Sequence, residues 1–369
     1  MPASRACIAE SDSTQGISRM GWTGPHAMAG EDVRRAARRR LAVCALWLGL
    51  LPVAAPARAQ PDASPDEQIA QADRFFHIAA GPVDGSSFTV AGFLATALSA
   101  PAGSRPCDRG GSCGVPGMVA VVDAVAQPAD ALALLSSGRA DAALLSADSI
   151  RGDQLRSVGT LFYREFHLVV LATSDINGPA DLKGKAVTLA GRTAESGRLA
   201  RQLGERASFI RKGKREAVVE MSEALKALAG GQTATVLAVG TAPIPELVEF
   251  ARATPIRLVG VTPETLARRA GADYARCTLP AGLYPGVEAV ATSCVPTSML
   301  VRADAPDDLV YAVTAAVWNE GTVRLLANGG PGARALRPQK ALSDLVAPLH
   351  PGAARYYREM GLSAPGKVN

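Results

Sequence analysis

His167-Leu168-Val169-Val170-Leu171-Ala172 is a continuous apolar run. A strand covered on one face alternates apolar and polar residues, whereas a strand buried on both faces does not. The run therefore predicts a central strand of an α/β sheet. Before it, short apolar runs alternate with helical patterns, as an α/β fold requires. Residues 76–80 read as a first strand, Gly81-Pro82-Val83-Asp84-Gly85-Ser86-Ser87 as a loop and 88–98 as a helix. Residues 119–125 and 142–145 read as strands with a helix over 129–137 between them. After the run, Asp181-Leu182-Lys183-Gly184-Lys185 is a turn that enters a second series. Its strands are 186–190, 235–239 and 256–259, and its helices are 193–203, 216–228 and 244–251. Residues 290–294 return the chain to the first series, and helices follow over 306–328 and at the C-terminus.

Two α/β series joined by two crossings, near 171–173 and 293–297, predict two lobes: 75–171 with 295–369, and 172–294. That arrangement describes a type II periplasmic-binding-protein fold. A ligand of such a fold sits between the lobes, beyond the carboxyl ends of strands at the switch points.

Residues 1–59 read as a leader. Arg34, Arg35, Arg38, Arg39 and Arg40 form a positive region, 41–55 an apolar run, and Ala57-Arg58-Ala59 a small-residue cleavage site. Met28 gives a leader of ordinary length and is taken as the start, with cleavage near Ala59 and export to the periplasm. The Pro-, Asp- and Gln-rich segment 60–74 is expected to be a disordered mature N-terminus. The 369-residue chain carries a formal charge of +5, but the leader holds eight arginines and four acidic residues. The remainder has 31 basic and 30 acidic residues, so no nucleic-acid partner is expected.

Four of the six cysteines lie beyond the leader: Cys107, Cys113, Cys277 and Cys294. In an oxidising compartment an even set implies disulfides, with three connectivities. The Gly-rich segment between Cys107 and Cys113 lets its ends meet, which makes that pair the first choice. A zinc site would need a second close cysteine pair or a histidine cluster, and beyond the leader only His77, His167 and His350 occur. No metal or cofactor is expected.

The C-terminal string Pro348-Leu349-His350-Pro351-Gly352-Ala353-Ala354-Arg355-Tyr356-Tyr357-Arg358-Glu359-Met360-Gly361 resembles the signature of the TAXI family, the solute receptors of one class of TRAP transporters. Further similarities run in order along the chain, from about Phe75 to Gly361. They are the 81–88 loop, the Cys107–Cys113 segment within 99–116, and Gly138-Arg139-Ala140-Asp141 leading to Asp148. Leu161-Phe162-Tyr163-Arg164-Glu165-Phe166-His167-Leu168-Val169-Val170, the 181–187 turn and Leu283-Tyr284-Pro285-Gly286 complete the series. The resemblance implies a non-enzymatic receptor, expected as a monomer, that passes a small anionic or zwitterionic solute to TRAP-type integral membrane permease subunits. Two stretches depart from the family pattern: Gln127-Pro128-Ala129-Asp130-Ala131, and Thr193-Ala194-Glu195-Ser196 at a helix start. The second puts Glu195 where free backbone N–H groups usually face an anion, and an acidic side chain there can occupy the positive end itself.

Such a receptor needs donors that are cheap to orient, and helix N-termini supply them. Gly81, Asp84, Gly85, Ser86, Ser87 and Phe88 form the first candidate site, with ordinary N-capping as its rival explanation. Ser146 and Asp148 end the third strand, where Asp148 caps a turn or touches solute. In the second lobe Arg192, Thr193, Gly240 and Thr241 follow strands, and Tyr163 and Tyr284 either border the ligand or pack between lobes. Two other functions fit less well. A secreted hydrolase would use Gly110-Gly111-Ser112-Cys113-Gly114 as a nucleophile elbow, but the strand–turn–helix setting is missing. A ligand-sensing subunit of a membrane sensor would use the same cleft.

Overall fold

The computed structural model describes residues 74–150, 153–191, 193–210, 217–266 and 274–363. The expected leader, the mature N-terminus up to residue 73 and Arg192 lie outside the described residues. The first series comprises β1 (Arg74–Ala80), α1 (Ser86–Leu98), β2 (Ser99–Ala100), β3 (Val115–Pro116), β4 (Met118–Ala124), α2 (Pro128–Ser136) and β5 (Ala142–Ser146). The long strand β6 (Leu155–Leu171) leads to β7 (Val187–Ala190), α3 (Ala194–Arg206), β8 (Val218–Val219), α4 (Met221–Ala229) and β9 (Thr235–Gly240). Then come α5 (Pro245–Ala253), β10 (Ile256–Val259), α6 (Pro263–Leu266), β11 (Ala275–Leu279) and β12 (Val290–Arg302). The chain closes with α7 (Asp307–Trp318), α8 (Glu320–Ala327), α9 (Pro331–Arg334) and α10 (Pro351–Glu359).

One sheet order, β3-β2-β4-β1-β5-β12-β6-β9-β7-β8, carries two copies of a single topology. In the first, β1 pairs in parallel with β4 and β5, and β5 pairs antiparallel with β12. In the second, β7 pairs in parallel with β8 and β9, and β9 pairs antiparallel with β6. Helices cover both faces of each half. Phe76, Leu94 and Phe162 belong to one core and Leu135 and Leu145 to the opposite face. Phe166 and Leu203 lie on one face of the second half, Val169 and Leu225 on the other. The fold class expected from the sequence, two α/β lobes of a type II periplasmic-binding-protein fold, is the one observed.

The apolar run 167–172 is the distal half of β6, and Leu155 to Phe166 extends it backwards as strand. Strand β6 pairs with β12 from Leu155 to Glu165 and with β9 from Glu165 to Val169. We therefore place the first crossing at Tyr163–Glu165, earlier than the expected 171–173, because an uninterrupted strand passes from one half of the sheet to the other. On β12, Cys294 faces β11 on one side, whereas Thr297 already faces β5. The helix expected from residue 216 also differs. Val218–Val219 pair with β7, as β-branched residues favour, and the helix starts at Met221.

The C-terminal string is a packing device of the first lobe. His350 caps α10 by accepting the Gly352 N–H at Nδ1 (3.1 Å), and its Nε2–H donates to the Ala305 carbonyl (3.1 Å). A Cβ at Gly352 would lie 2.1 Å from the Asp307 carbonyl oxygen, so only glycine lets α10 dock on the start of α7. The buried Tyr357 hydroxyl accepts from Trp318 Nε1 (2.7 Å) and donates to the Val158 carbonyl (2.9 Å). Disulfides join Cys107 to Cys113 and Cys277 to Cys294, with Cα separations of 4.6 and 5.9 Å. The first closes the loop between β2 and β3, and the second ties β11 to β12 beside the crossing.

Candidate functional site

The loops after β1, β7 and β9 all leave the carboxyl ends of parallel strands, and they converge on a cleft of about 230 Å³. The first lobe contributes Asp84, Gly85, Ser86 and Thr89 from the start of α1, and Gly332 and Ala333 from α9. From the second lobe come Thr193, Glu195 and Ser196 at the start of α3, with Gly240, Thr241 and Pro243 before α5. Arg164 on β6 forms part of the wall between them.

The two helix N-termini at the cleft differ in chemistry. The start of α1 has Gly85 at its N-cap, no side-chain cap and no acidic residue in its first turn. Its first N–H groups lack intrahelical acceptors and carry the positive end of the helix dipole. By contrast α3 is closed by a capping box. Thr193 Oγ1 accepts the Ser196 N–H (3.1 Å), and Ser196 Oγ accepts the Thr193 N–H (3.0 Å). Glu195 adds a carboxylate to that first turn.

Two ion pairs bring side chains of α3 onto the rest of the cleft. Arg164 Nη1 lies 2.5 Å from Glu195 Oε1, with side chains 5% and 14% exposed. Arg164 Nη2 donates to Thr297 Oγ1 (3.0 Å), while the buried Nε has no hydrogen-bond partner among the described residues. Three residues along α3, Arg198 Nη1 meets Asp148 Oδ2 at 2.7 Å. Ser146 Oγ donates to the other oxygen of Asp148 (2.6 Å). Burial alone would raise the Asp148 carboxyl, but Arg198 and the Ser146 hydroxyl hold it below its ordinary value.

A second polar network braces the loop after β9. Glu165 Oε2 accepts the Ala242 N–H (3.0 Å), next to the cis Ala242–Pro243 bond. Burial pushes the Glu165 carboxyl up to about 7, against the opposing effect of that N–H. His167 is fully buried, and burial pushes its imidazole down to about 4. The neutral ring donates from Nδ1 to the Glu165 carbonyl (3.0 Å) and accepts the Tyr284 hydroxyl at Nε2 (2.8 Å). Tyr284 in turn accepts the Ile244 N–H (3.0 Å).

Of the residues singled out in the sequence, Asp84, Gly85, Ser86, Thr193, Gly240 and Thr241 line the main cleft. Gly81, Ser87 and Ser146 line a smaller neighbouring cavity of about 30 Å³, and Glu195 borders both. Phe88 is half-buried on α1 outside both linings. Asp148 is taken up by Arg198, and Arg192 lies outside the described residues. The two tyrosines are elsewhere. Tyr284 is wholly buried in the core of the second lobe, and Tyr163 donates to Asp344 Oδ2 (3.0 Å). Sequence reasoning missed Arg164. Its signal was available as a charge between Tyr163 and Glu165 in the middle of strand β6, where a buried guanidinium needs a partner.

Two α/β lobes with a cleft beside their crossing strands have a periplasmic-binding-protein-like architecture. The chain belongs to the NMT1-like family, whose sequence profile matches residues 78–361. Among solved structures it is similar to a TctC solute binding protein from Polaromonas, at 14% identity and a TM-score of 0.42, covering 69% of this chain and 87% of that one. It is also similar to ArtJ, an arginine-, lysine- and histidine-binding protein from Geobacillus stearothermophilus. That match has 13% identity and a TM-score of 0.38, covering 69% and 95% of the two chains.

Proposed function

We propose that the protein is an exported receptor of the TAXI type, binding a small organic acid or amino acid between its lobes. It hands that solute to the integral membrane subunits of a TRAP-type permease and acts as a monomer without a cofactor. The observation that carries this reading is the pairing of an uncapped helix start, α1, with the buried guanidinium of Arg164 on one cleft wall. Both favour a carboxylate, the first through free N–H groups and dipole, the second through charge-assisted hydrogen bonds. Closure around the solute is a hinge motion in which the ligand stabilises the state that contacts it from both lobes. The two disulfides accord with an oxidising compartment.

A hydrolase is disfavoured by Ser112, whose hydroxyl donates to the Ser99 carbonyl within the disulfide-closed segment and away from the cleft. Thr89 lies exposed on the first turns of α1 and lines the cleft, so Thr89→Trp obstructs it without filling a core position. In a thermal-shift screen of carboxylates and amino acids, the variant should lose the ligand-dependent rise in Tm that the wild type shows. An undiminished rise in the variant would remove this cleft from the function.

A further inference from the structure

We propose that Glu195 is the specificity-determining residue of the cleft, selecting solutes that carry a protonated amine over solutes whose only charge is a carboxylate. The inference rests on the receptor reading above and narrows it from organic acids and amino acids to the latter.

Glu195 already occupies the place where an incoming carboxylate would be held best. One of its oxygens is on Arg164 Nη1, and the other faces the loop that precedes α1. A Cβ at Gly81 would lie 3.6 Å from Glu195 Oε2 and 3.7 Å from the Cβ of Ser87, in the first turn of α1. The protein's own carboxylate thus stands between the guanidinium and the open helix end. A solute bringing only negative charge must approach this group against like-charge repulsion, in a site with little water to screen it. Displacing Glu195 would in turn strip a buried pair of its partner.

A protonated amine reverses the balance. Besides the Arg164–Glu195 pair, Asp84 is an exposed acid lining the described cleft, and a cationic nitrogen meets both carboxylates favourably. The carboxylate of the same solute still finds donors on the other side. Arg164 is 4% exposed and its Nε has no partner among the described residues, and the N-terminus of α1 is uncapped. The capped and acidic α3 offers no comparable anion site. The asymmetry orients the solute, with its carboxylate toward α1 and its ammonium toward Glu195.

The test uses the purified exported protein and a panel of primary α-amino acids. Each is paired with the same acid bearing hydrogen in place of the amino group. Half-saturation is read from the ligand-dependent rise in Tm. For any amino acid that stabilises the wild type, its deamino partner should bind at least tenfold more weakly. Glu195→Gln should erase that discrimination by tightening the deamino acid, and Glu195→Asp, which keeps the charge, should retain it. The wild-type comparison stands alone if Glu195→Gln does not fold. Deamino acids that bind the wild type as well as the amino acids would overturn the inference and leave the receptor reading intact. A folded Glu195→Gln protein that keeps the preference would do the same. A panel in which nothing stabilises any variant would overturn both.

Discussion

Replacing Glu165 by Gln should stabilise the protein at alkaline pH and leave it unchanged in acid. The carboxyl of Glu165 is held near 7 in the fold against an ordinary value of 4.5, mainly by burial. Because the folded value is raised, the native state holds a proton that the unfolded chain releases from pH 4.5 upward. Stability is lost progressively between about pH 4.5 and 7 and stays low above it. A gap of roughly 2.5 units at 1.36 kcal/mol each makes the loss about 3 kcal/mol. Gln keeps a carbonyl oxygen for the Ala242 N–H while removing the titration. His167 runs the other way. Its folded value near 4 lies below the ordinary 6.5, so its contribution is lost as pH falls from about 6.5 to 4. Between pH 4.5 and 6.5 the unfolded chain carries its proton on the histidine and the native state carries it on the glutamate. The two dependences nearly cancel in the wild type, and the variant uncovers the histidine's. Urea unfolding followed by far-UV circular dichroism at half-unit steps from pH 4 to 9 measures the difference. The variant should gain about 3 kcal/mol at pH 8 and nothing at pH 4. A difference that does not change with pH, or a variant less stable at pH 8, would refute the assignment of a buried, protonated Glu165.

Two further outcomes test the packing. Gly352→Ala places a Cβ 2.1 Å from the Asp307 carbonyl, so α10 must shift on α7. A cost of about 1–3 kcal/mol and a Tm several degrees lower are expected, with solute affinity of the folded protein unaltered. Replacing Cys277 and Cys294 by Ser opens a loop of sequence separation 17, for which chain entropy gives a loss of about 3 kcal/mol. Denaturant titration of the double variant reads it directly, and thiol counting on the unfolded wild type should find none of the four cysteines free.

The elements that could be read from sequence are those whose cause is local. Apolar runs such as 235–239 and 256–259 report strands buried between helix layers, and the observed β9 and β10 begin at the same residues. Gly85 and the two serines after it announced a helix start at the end of a strand, and the structure puts that start on the cleft. The position of the first crossing was hidden, because nothing in an unbroken strand marks the residue at which its neighbours change. Tyr284 misled for a related reason. A tyrosine after a turn reads equally well as a ligand platform or a core residue, and only the distant partners His167 and Ile244 decide. The role of Arg164 could not be read from its neighbours Tyr163 and Glu165, since its partners Glu195 and Thr297 lie 31 and 133 positions away. Glu195 was visible as an acid at a helix start, but its reach to Arg164 was not.

Arg164 occupies the stretch of β6 where the strand exchanges β12 for β9 as its neighbour. When two bodies rotate about an axis, displacement grows with distance from it, so a group on the axis barely travels. Under the proposed hinge closure, Arg164 would keep nearly the same position in the open and closed states, while the lining residues Asp84 and Thr241 would move toward each other. On that proposal capture would have an order in time: anchoring at the pivot, followed by enclosure from the two lobes. Changes at Arg164 should act chiefly on the rate of arrival, and changes at the rims on the lifetime of the closed complex.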